Sequence, residues 1–358
     1  MRIGIVTFHW AANYGAVLQT YALQSVLGRM GHQVEVINYC PIWSKDNRTP
    51  RFPHSLGEAV NFVDHYVRRH KYEKFCRKWL NVTIHSYKLG EEISGFDCVI
   101  TGSDQVFNPD IICNSGVLDL TYLLSSVSEG TKKVSYAASF GNSTLDSKYQ
   151  DQFQQVLSSF SSISIRERSG KQIVEDLGLK AVAVPDPTIL FGDFSSLYRQ
   201  NSLSLNEYVL NFIFQKTDAV LMTQRIIAAE SSKPLYSAVG LSDKLKGKKG
   251  FYNLSPEQWI CAIKNAHFVI TDSFHSTVFC ILTHRPFISL VLDAWGGDWS
   301  ERIKSLLEEV GLQERLLLSP SNEIIRELYY KEIDWSQVDE KLAIWRTKGM
   351  TFLINSLK

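Results

Sequence analysis

Short apolar runs alternate with longer helical or polar segments along most of this chain. Near the N-terminus the pattern predicts a strand over residues 2–8, a polar turn at 13–15, a helix over 16–30 and a second strand over 33–39. Gly31 follows the helix at the position where a C-terminal cap favours glycine. These elements together make one predicted βαβ unit.

Two series of short apolar runs continue the pattern. The first series consists of DCVITG, KKVSYAAS, SSISIR and AVAVP. A polar, serine-rich stretch over residues 192–206 separates it from the second series, which includes YVLNFIF, PLYSAV, HFVITD and RPFISLVL. Strands that alternate with helices indicate a parallel sheet. The sequence therefore predicts two α/β domains joined by a linker.

The serine-rich stretch marks the predicted domain boundary. We predict an N-terminal domain over residues 1–195, a C-terminal domain over residues 205–334, and a C-terminal helix over residues 335–358. That helix either completes the C-terminal domain or packs back on the first one. A length of 358 residues supports two domains, since each can then bury a core of its own.

Composition excludes several classes of protein. With 44% hydrophobic and 21% charged residues the chain is a folded domain protein, and its net charge of +1 gives no field that would attract nucleic acid. The six cysteines form no C-x-x-C pair, which argues against a structural zinc site or a disulfide framework. No apolar run is long enough for a signal peptide or a membrane span. We therefore expect a cytoplasmic protein.

The segment over residues 64–80, DHYVRRHKYEKFCRKWL, is basic and carries interleaved aromatic residues. A solvated amphipathic helix is the favoured interpretation. Contact with a membrane surface or an anionic glycan is the alternative.

Polar residues stand after several predicted strands, where open α/β sheets bind their ligands. No G-x-G-x-x-G, P-loop or G-x-S-x-G motif accompanies them, so the usual nucleotide cradles and the serine hydrolase motif are not supported. The candidate side chains are His9 and Asn13 after the first strand, Asp104 after DCVI, Arg166 and Arg168 after SSISI, and Asp272, Ser273, His275, Ser276 and Thr277 after HFVI.

The stretch ITDSFHSTVFCI, over residues 270–281, combines a strand end with a helix start. Backbone N–H groups near 275–278 and the hydroxyls of Ser276 and Thr277 could hold an anion at this helix end. His275 is the best acid or base candidate, because histidine titrates at about pH 6.5. A helix cap or a hydrogen-bonded core histidine is the alternative, and Asp272 is predicted to be an N-cap.

Arg166 ends an apolar strand, where a guanidinium needs an anionic partner. A carboxylate or phosphate of a ligand would satisfy it, and so would an internal ion pair with Glu167 or with a carboxylate at the domain interface. Asp104 lies in T-G-S-D-Q, where a turn role competes with a catalytic role.

Several motifs in their order resemble the polysaccharide pyruvyl transferase family: TFHWAANYGAVLQTYALQ, FDCVITGSDQVFN, KVSYAASFG, SISIRERSG, VPDPTIL, SPEQWICAIKNAHFVITDSFHSTVF and RPFISL. The resemblance runs from residue 3 to about residue 316. It implies two Rossmann-like domains, the first on the acceptor side and the second on the donor side, in a GT-B-like arrangement with the active site in the interdomain cleft. The matched positions are Asp104, Arg166 and His275.

The resemblance also implies the reaction. The family transfers pyruvyl from phosphoenolpyruvate to two hydroxyls of one sugar, which gives a pyruvate ketal and phosphate in the biosynthesis of cell-surface polysaccharides such as exopolysaccharide or capsule. We expect a sugar acceptor in the form of a lipid-linked oligosaccharide, peripheral contact with the inner membrane face, and no metal or cofactor. The rival interpretations are a GT-B glycosyltransferase that uses a sugar nucleotide and a non-catalytic glycan-binding protein.

Roles follow for the candidate side chains. His275 is predicted to be the general acid and Asp104 the base. Ser276 stands where the family commonly has glycine, and Ser273 stands where some members have arginine, so the missing charge is expected from Arg168 or Arg302. The predicted donor-binding residues are Arg166, Arg168, Ser273, Ser276, Thr277 and Arg302, and the predicted acceptor-binding residues are His9, Asn13 and Tyr14.

Overall fold

A computed structural model describes residues 1–46, 53–198, 203, 205–291 and 300–358. Its chain divides into two compact units. Among the residues described, no helix is both long enough and apolar enough to cross a membrane.

The first unit is built on a parallel sheet. The strands of this part of the chain are β1 (Arg2–Val6), β2 (Gln33–Tyr39), β3 (Val82–Tyr87), β4 (Cys98–Thr101), β5 (Cys113–Asn114), β6 (Val117–Leu118), β7 (Lys132–Ala138), β8 (Ser162–Ile165) and β9 (Val182–Ala183). Seven of them pair in the order β3-β2-β1-β4-β7-β8-β9, and every pair is parallel. The order reverses next to β1, as in a Rossmann fold.

Helices connect these strands. They are α1 (Tyr14–Arg29), α2 (Ile42–Asp46), α3 (Leu56–Trp79), α4 (Pro109–Ile112), α5 (Ser147–Leu157), α6 (Arg168–Asp176) and α7 (Pro187–Phe191), with a 3-10 turn at Leu120–Leu123. Asn13 caps α1 by accepting a hydrogen bond from the Ala16 amide at 3.3 Å. Gly31 follows the helix with φ of 89°, a conformation that glycine adopts without a steric penalty. The predicted β1–α1–β2 unit is confirmed.

The second unit repeats the same plan. Its strands are β10 (Val209–Phe212), β11 (Leu235–Val239), β12 (Gly250–Tyr252), β13 (Phe268–Thr271), β14 (Phe287–Leu290) and β15 (Leu316–Leu317). They pair in parallel in the order β12-β11-β10-β13-β14-β15. The helices are α8 (Ser195–Tyr198), α9 (Asp218–Ser231), α10 (Leu241–Leu245), α11 (Pro256–Asn265), α12 (Phe274–Leu282), α13 (Ser300–Val310), α14 (Asn322–Tyr330) and α15 (Trp335–Ser356), with a 3-10 turn at Gln313–Arg315.

The central strands are buried on both faces, because helices cover both sides of a parallel sheet. All four residues of β4, β10, β13 and β14 are buried. Each unit has its own hydrophobic core, which includes Val99, Phe107 and Phe140 in the first and Val209 and Ile270 in the second. The two predicted α/β domains are therefore both present.

The domain limits differ from the predicted ones. Unit 1 comprises Met1–Thr49, Glu73–Phe191 and Ala343–Lys358, and unit 2 comprises Pro50–Tyr72 and Gly192–Leu342. The predicted continuous stretch over residues 1–195 therefore loses 50–72 and 192–195 to unit 2, and the end of the predicted C-terminal helix belongs to unit 1. The limits after residues 72 and 342 fall inside the continuous helices α3 and α15, where no change of composition marks a boundary.

The C-terminal helix packs back on the first domain over its second half. The Arg346 side chain donates to the Ile189 carbonyl at 2.7 Å, and the Phe352 ring lies 6.3 Å from the Tyr136 ring. Of the two packing arrangements that the sequence left open, the residues from Ala343 onward adopt this one.

Candidate functional site

Each sheet has one point where the strand order reverses, between β1 and β4 in unit 1 and between β10 and β13 in unit 2. The loops at the carboxyl ends of these strands diverge to opposite faces and leave a crevice, which is where open α/β sheets bind ligands. His9, Asn13, Tyr14 and Asp104 lie beyond β1 and β4, and Ser273, His275, Ser276 and Thr277 lie beyond β13, whereas Arg166 and Arg168 follow β8 and Arg302 lies in α13. The geometry of each unit is described separately.

In unit 1, buried polar contacts join the loops after β1 and β4. The Thr7 hydroxyl donates to the Ser103 carbonyl at 3.1 Å and accepts from the Gln19 side chain at 2.8 Å. The same Gln19 side chain accepts from the Ser103 amide at 3.1 Å. Asp104 comes next with φ of 70°, a left-handed conformation that costs a non-glycine residue free energy. The fold thus holds Asp104 in a fixed and unusual backbone position.

Arg166 lies directly after β8 and forms a buried ion pair. Its Nη1 donates to Oδ2 of Asp186 at 3.0 Å, and the two side chains are 2% and 0% exposed. Carboxylate oxygens of Asp104 and Glu167 lie 3.9 Å from other guanidinium nitrogens. An internal ion pair is therefore present, but the hydrogen-bonded carboxylate is that of Asp186 in the same unit, which is neither Glu167 nor the interface carboxylate that the sequence suggested. Direct binding of the donor by Arg166 stays a prediction.

Asp186 was not predicted as a site residue, although it joins three parts of the unit. Its Oδ2 accepts from Arg166 and, at 2.9 Å, from the Ser103 hydroxyl. Its Oδ1 accepts from the Thr188 amide at 2.9 Å and the Thr188 hydroxyl at 2.6 Å, which caps α7. The only signal in the sequence was an aspartate between two prolines in VPDPTIL, which indicates a helix cap but not an ion pair.

Glu167 ties the end of β8 to the loop after β7. It is 1% exposed, and its Oε1 accepts from the Phe140 amide at 2.8 Å and the Gly141 amide at 3.4 Å. Arg168, the neighbouring predicted donor-binding residue, is exposed and begins α6.

The predicted acceptor-binding residues lie together between β1 and α1. His9 is 5% exposed, and its Nδ1 lies 3.3 Å from the Thr7 carbonyl. Asn13 is exposed and caps α1, while Tyr14 is half-buried as the first residue of that helix. These contacts give Asn13 the structural role of a cap, and acceptor binding by the three residues stays a prediction.

In unit 2, Asp272 has a different role from the predicted N-cap. Its carboxylate accepts from the Phe214 amide at 2.9 Å and the Gln215 amide at 3.0 Å, so it joins the loops after β10 and β13. Burial raises the pKa of the Asp272 carboxyl, and these backbone N–H groups oppose that rise. The N-cap of α12 is Ser273, whose Oγ accepts from the Ser276 amide at 3.4 Å.

The start of α12 presents His275 as its second residue. The side chain is buried to 8% exposure, and its ring meets the Phe274 ring edge to face at 5.1 Å. The amides of Ser276 and Thr277 already donate to the side chain and carbonyl of Ser273. The sequence predicted that the backbone amides over 275–278 are free to bind an anion, and this is wrong for the amides of Ser276 and Thr277.

Ser276, Thr277 and Ser289 are fully buried near His275, whereas Ser273 is half-buried. Thr277 Oγ1 donates to the Ser273 carbonyl at 3.0 Å and lies 2.7 Å from the Ser289 hydroxyl of β14. This gives Thr277 a structural role, and donor binding by Ser273, Ser276 and Thr277 stays a prediction. Arg302 is the third residue of α13 and is 9% exposed.

A family model described as polysaccharide pyruvyl transferase matches residues 13–293. The chain belongs to the polysaccharide pyruvyl transferase family. The matched range contains Asp104, Arg166 and His275, whereas Arg302 lies beyond it. No curated protein matches the sequence of this pyruvyl transferase family member significantly.

Several solved structures share the fold of this pyruvyl transferase family member at low sequence identity. UDP-N-acetylglucosamine 2-epimerase from Rickettsia bellii has a TM-score of 0.51 at 10% identity, over 99% of this chain and 96% of that one. A Listeria monocytogenes protein provisionally described as a UDP-N-acetylglucosamine 2-epimerase has a TM-score of 0.51 at 11% identity, over 97% and 90%. The predicted fold class, two Rossmann-like α/β domains of the GT-B class, is confirmed.

Proposed function

We propose that this protein transfers pyruvyl from phosphoenolpyruvate to two hydroxyls of one sugar in a polysaccharide or its oligosaccharide precursor. The products are a cyclic pyruvate ketal and phosphate. The observation that supports this proposal is the family match over residues 13–293, which includes strand ends of both sheets. The proposal includes no cofactor, because phosphoenolpyruvate itself is the activated donor.

The reaction needs one proton donor and one proton acceptor. A proton adds to the methylene carbon of phosphoenolpyruvate, and the oxygen of the first hydroxyl bonds to the adjacent carbon. Phosphate leaves with its bridging oxygen, and the second hydroxyl closes the ring at the same carbon. The two hydroxyl protons balance the proton added to carbon and the one carried by phosphate. We assign His275 as the acid and Asp104 as the base that accepts a hydroxyl proton.

The donor carries a carboxylate and a phosphate, so its site requires cations and N–H donors. Ser273, Ser276 and Thr277 are proposed to hold an anionic group at the start of α12, where the helix end is partially positive. Arg168 is a better direct ligand than Arg166, because Arg168 is exposed whereas Arg166 lies among three carboxylates. Arg302 is the second candidate cation, and His9, Asn13 and Tyr14 are proposed to contact the acceptor.

Ligand-dependent thermal unfolding tests the donor. Phosphoenolpyruvate at about 100 times its dissociation constant should stabilise the protein by about 2.7 kcal/mol, because it binds only the folded state. Inorganic phosphate with pyruvate serves as the control for unlinked anions. Stabilisation by UDP or ADP, with none by phosphoenolpyruvate, would favour a glycosyltransferase that uses a sugar nucleotide.

A lipid-linked acceptor would bring the protein to a membrane surface, and the basic helix α3 is the proposed contact. The predicted helix is present, and in it Tyr72 and Phe75 are buried while Arg68, Lys74 and Lys78 are exposed. Each basic residue near anionic headgroups contributes about 1 kcal/mol of attraction, which added salt weakens.

Vesicle sedimentation tests this contact. The protein should bind vesicles that contain phosphatidylglycerol at low salt, and changing Arg68, Lys74 and Lys78 together to serine should release it. The matched control changes Lys246, Lys248 and Lys249, which are exposed and lie outside α3. Equal binding by the α3 variant and the wild type would exclude this helix as the contact.

A further inference from the structure

A groove of about 680 Å³ lies in unit 1 between α15 and the start of two strands. Its helix wall consists of residues spaced three or four apart from Ile344 to Ser356, and these form one stripe along the helix. At 1.5 Å per residue this stripe is about 18 Å long. The opposite wall consists of residues over 161–163 and 180–182, at or just before the amino ends of β8 and β9.

The groove is separate from the candidate active site. Arg166 follows β8 at its carboxyl end, whereas Ser161 and Ser162 contribute to the groove at the amino end of the same strand. None of the residues proposed to bind donor or acceptor lines it. A ligand in this groove would therefore not occupy the crevice where the strand order of the sheet reverses.

The lining combines apolar side chains from both walls with positive charge. Ile163, Val182, Ile344 and Phe352 contribute the apolar surface, and Ile344 remains 73% exposed. Lys180 comes from the strand wall and Lys348 from the helix wall, while no aspartate or glutamate is among the described residues that line the groove. Serine and threonine hydroxyls from both walls add hydrogen-bond donors.

We propose that this groove binds a single-chain amphipathic anion, such as an alkyl or isoprenyl phosphate. The length of the helix stripe and the apolar side chains of both walls suit a hydrocarbon chain. Burial of such a chain is favourable in proportion to its area. The two lysines suit an anionic head, since a phosphate oxygen accepts strong charge-assisted hydrogen bonds from ammonium groups. The volume is within the usual range for sites that bind small molecules.

Calorimetric titration with octyl phosphate, below its micelle concentration, tests the proposal on the full-length protein. We expect saturable binding that becomes about tenfold weaker or more when Lys180 and Lys348 are both changed to serine. The control changes Lys88 and Lys148, two exposed lysines of the same unit outside the groove, and should leave binding unchanged. Ile344→Asn should weaken the binding of octyl phosphate without unfolding the protein, because Ile344 is largely exposed.

Three results would overturn the proposal. They are the absence of saturable octyl phosphate binding, equal weakening by the groove and control lysine pairs, and saturable binding of ADP in the groove without octyl phosphate binding. Competition with inorganic phosphate tests whether the hydrocarbon chain contributes to binding. Inorganic phosphate should bind at least about tenfold more weakly than octyl phosphate. Equal competition by inorganic phosphate would show that the groove recognises an anion only and would contradict the amphipathic assignment.

Discussion

His275→Gln should lower turnover by about 10²–10⁴-fold, the usual contribution of a general acid or base. Glutamine preserves polarity and approximate size at this buried position but cannot donate a proton near neutral pH. The measurement is phosphate release from phosphoenolpyruvate in the presence of a panel of sugar acceptors. Binding of phosphoenolpyruvate, followed by thermal unfolding, should change much less than turnover, because the other residues that we propose to bind the donor are unchanged.

The matched control is His267→Gln. His267 immediately precedes β13, whereas His275 lies beyond its carboxyl end in α12, so the same substitution is made on either side of one strand. The His267 variant should retain nearly full turnover. If His275→Gln also retained most of the wild-type turnover, His275 would not be the acid. His275→Asn provides a second readout if the glutamine variant unfolds.

Local patterns predicted most of the elements. In unit 2, the predicted strand HFVITD corresponds to Phe268–Thr271 and the helix predicted from His275 begins at Phe274. The run SPEQWICAIKNA became α11, whose start is fixed by a capping box between Ser255 and Gln258. Such elements depend on interactions within a few residues, which the sequence displays directly. Short edge strands such as β15 have no comparable local signal, because pairing with a distant strand defines them.

The candidate site was predictable only in part, for the same reason. Strand ends placed Asp104 and Arg166 at the carboxyl edge of one sheet, because parallel strands share that edge. The partner of Arg166 is Asp186, twenty residues away in the chain, and Ser103 contacts the same carboxylate. No spacing rule connects these three residues. The position of Asp272 was predicted, but its hydrogen bonds to Phe214 and Gln215 depend on how β10 and β13 pair.

Asp186→Ala should lower the free energy of unfolding by about 3–5 kcal/mol, the usual cost of breaking a buried ion pair on one side. The change leaves the Arg166 guanidinium without its nearest carboxylate at a position that is 2% exposed. It also removes the cap of α7 and one of the two acceptors of the Ser103 hydroxyl, which keeps the Ala137 carbonyl at 2.9 Å. Urea denaturation followed by fluorescence measures the effect, and Asp186→Asn gives a milder variant if the alanine variant does not fold.

Two further variants separate the charge from the other contacts. Glu175→Ala breaks a half-exposed ion pair with Lys171 in the same unit and should change stability little, because water screens that pair. Arg166→Met combined with Asp186→Leu removes both buried charges and should recover part of the stability that Asp186→Ala loses. Recovery would be incomplete, because Thr188 would still lack its acceptor and the carboxylates of Glu167 and Asp104 would lose the guanidinium 3.9 Å away. A double variant less stable than Asp186→Ala would contradict the expected recovery and would show that the guanidinium stabilises Glu167 and Asp104 even without Asp186.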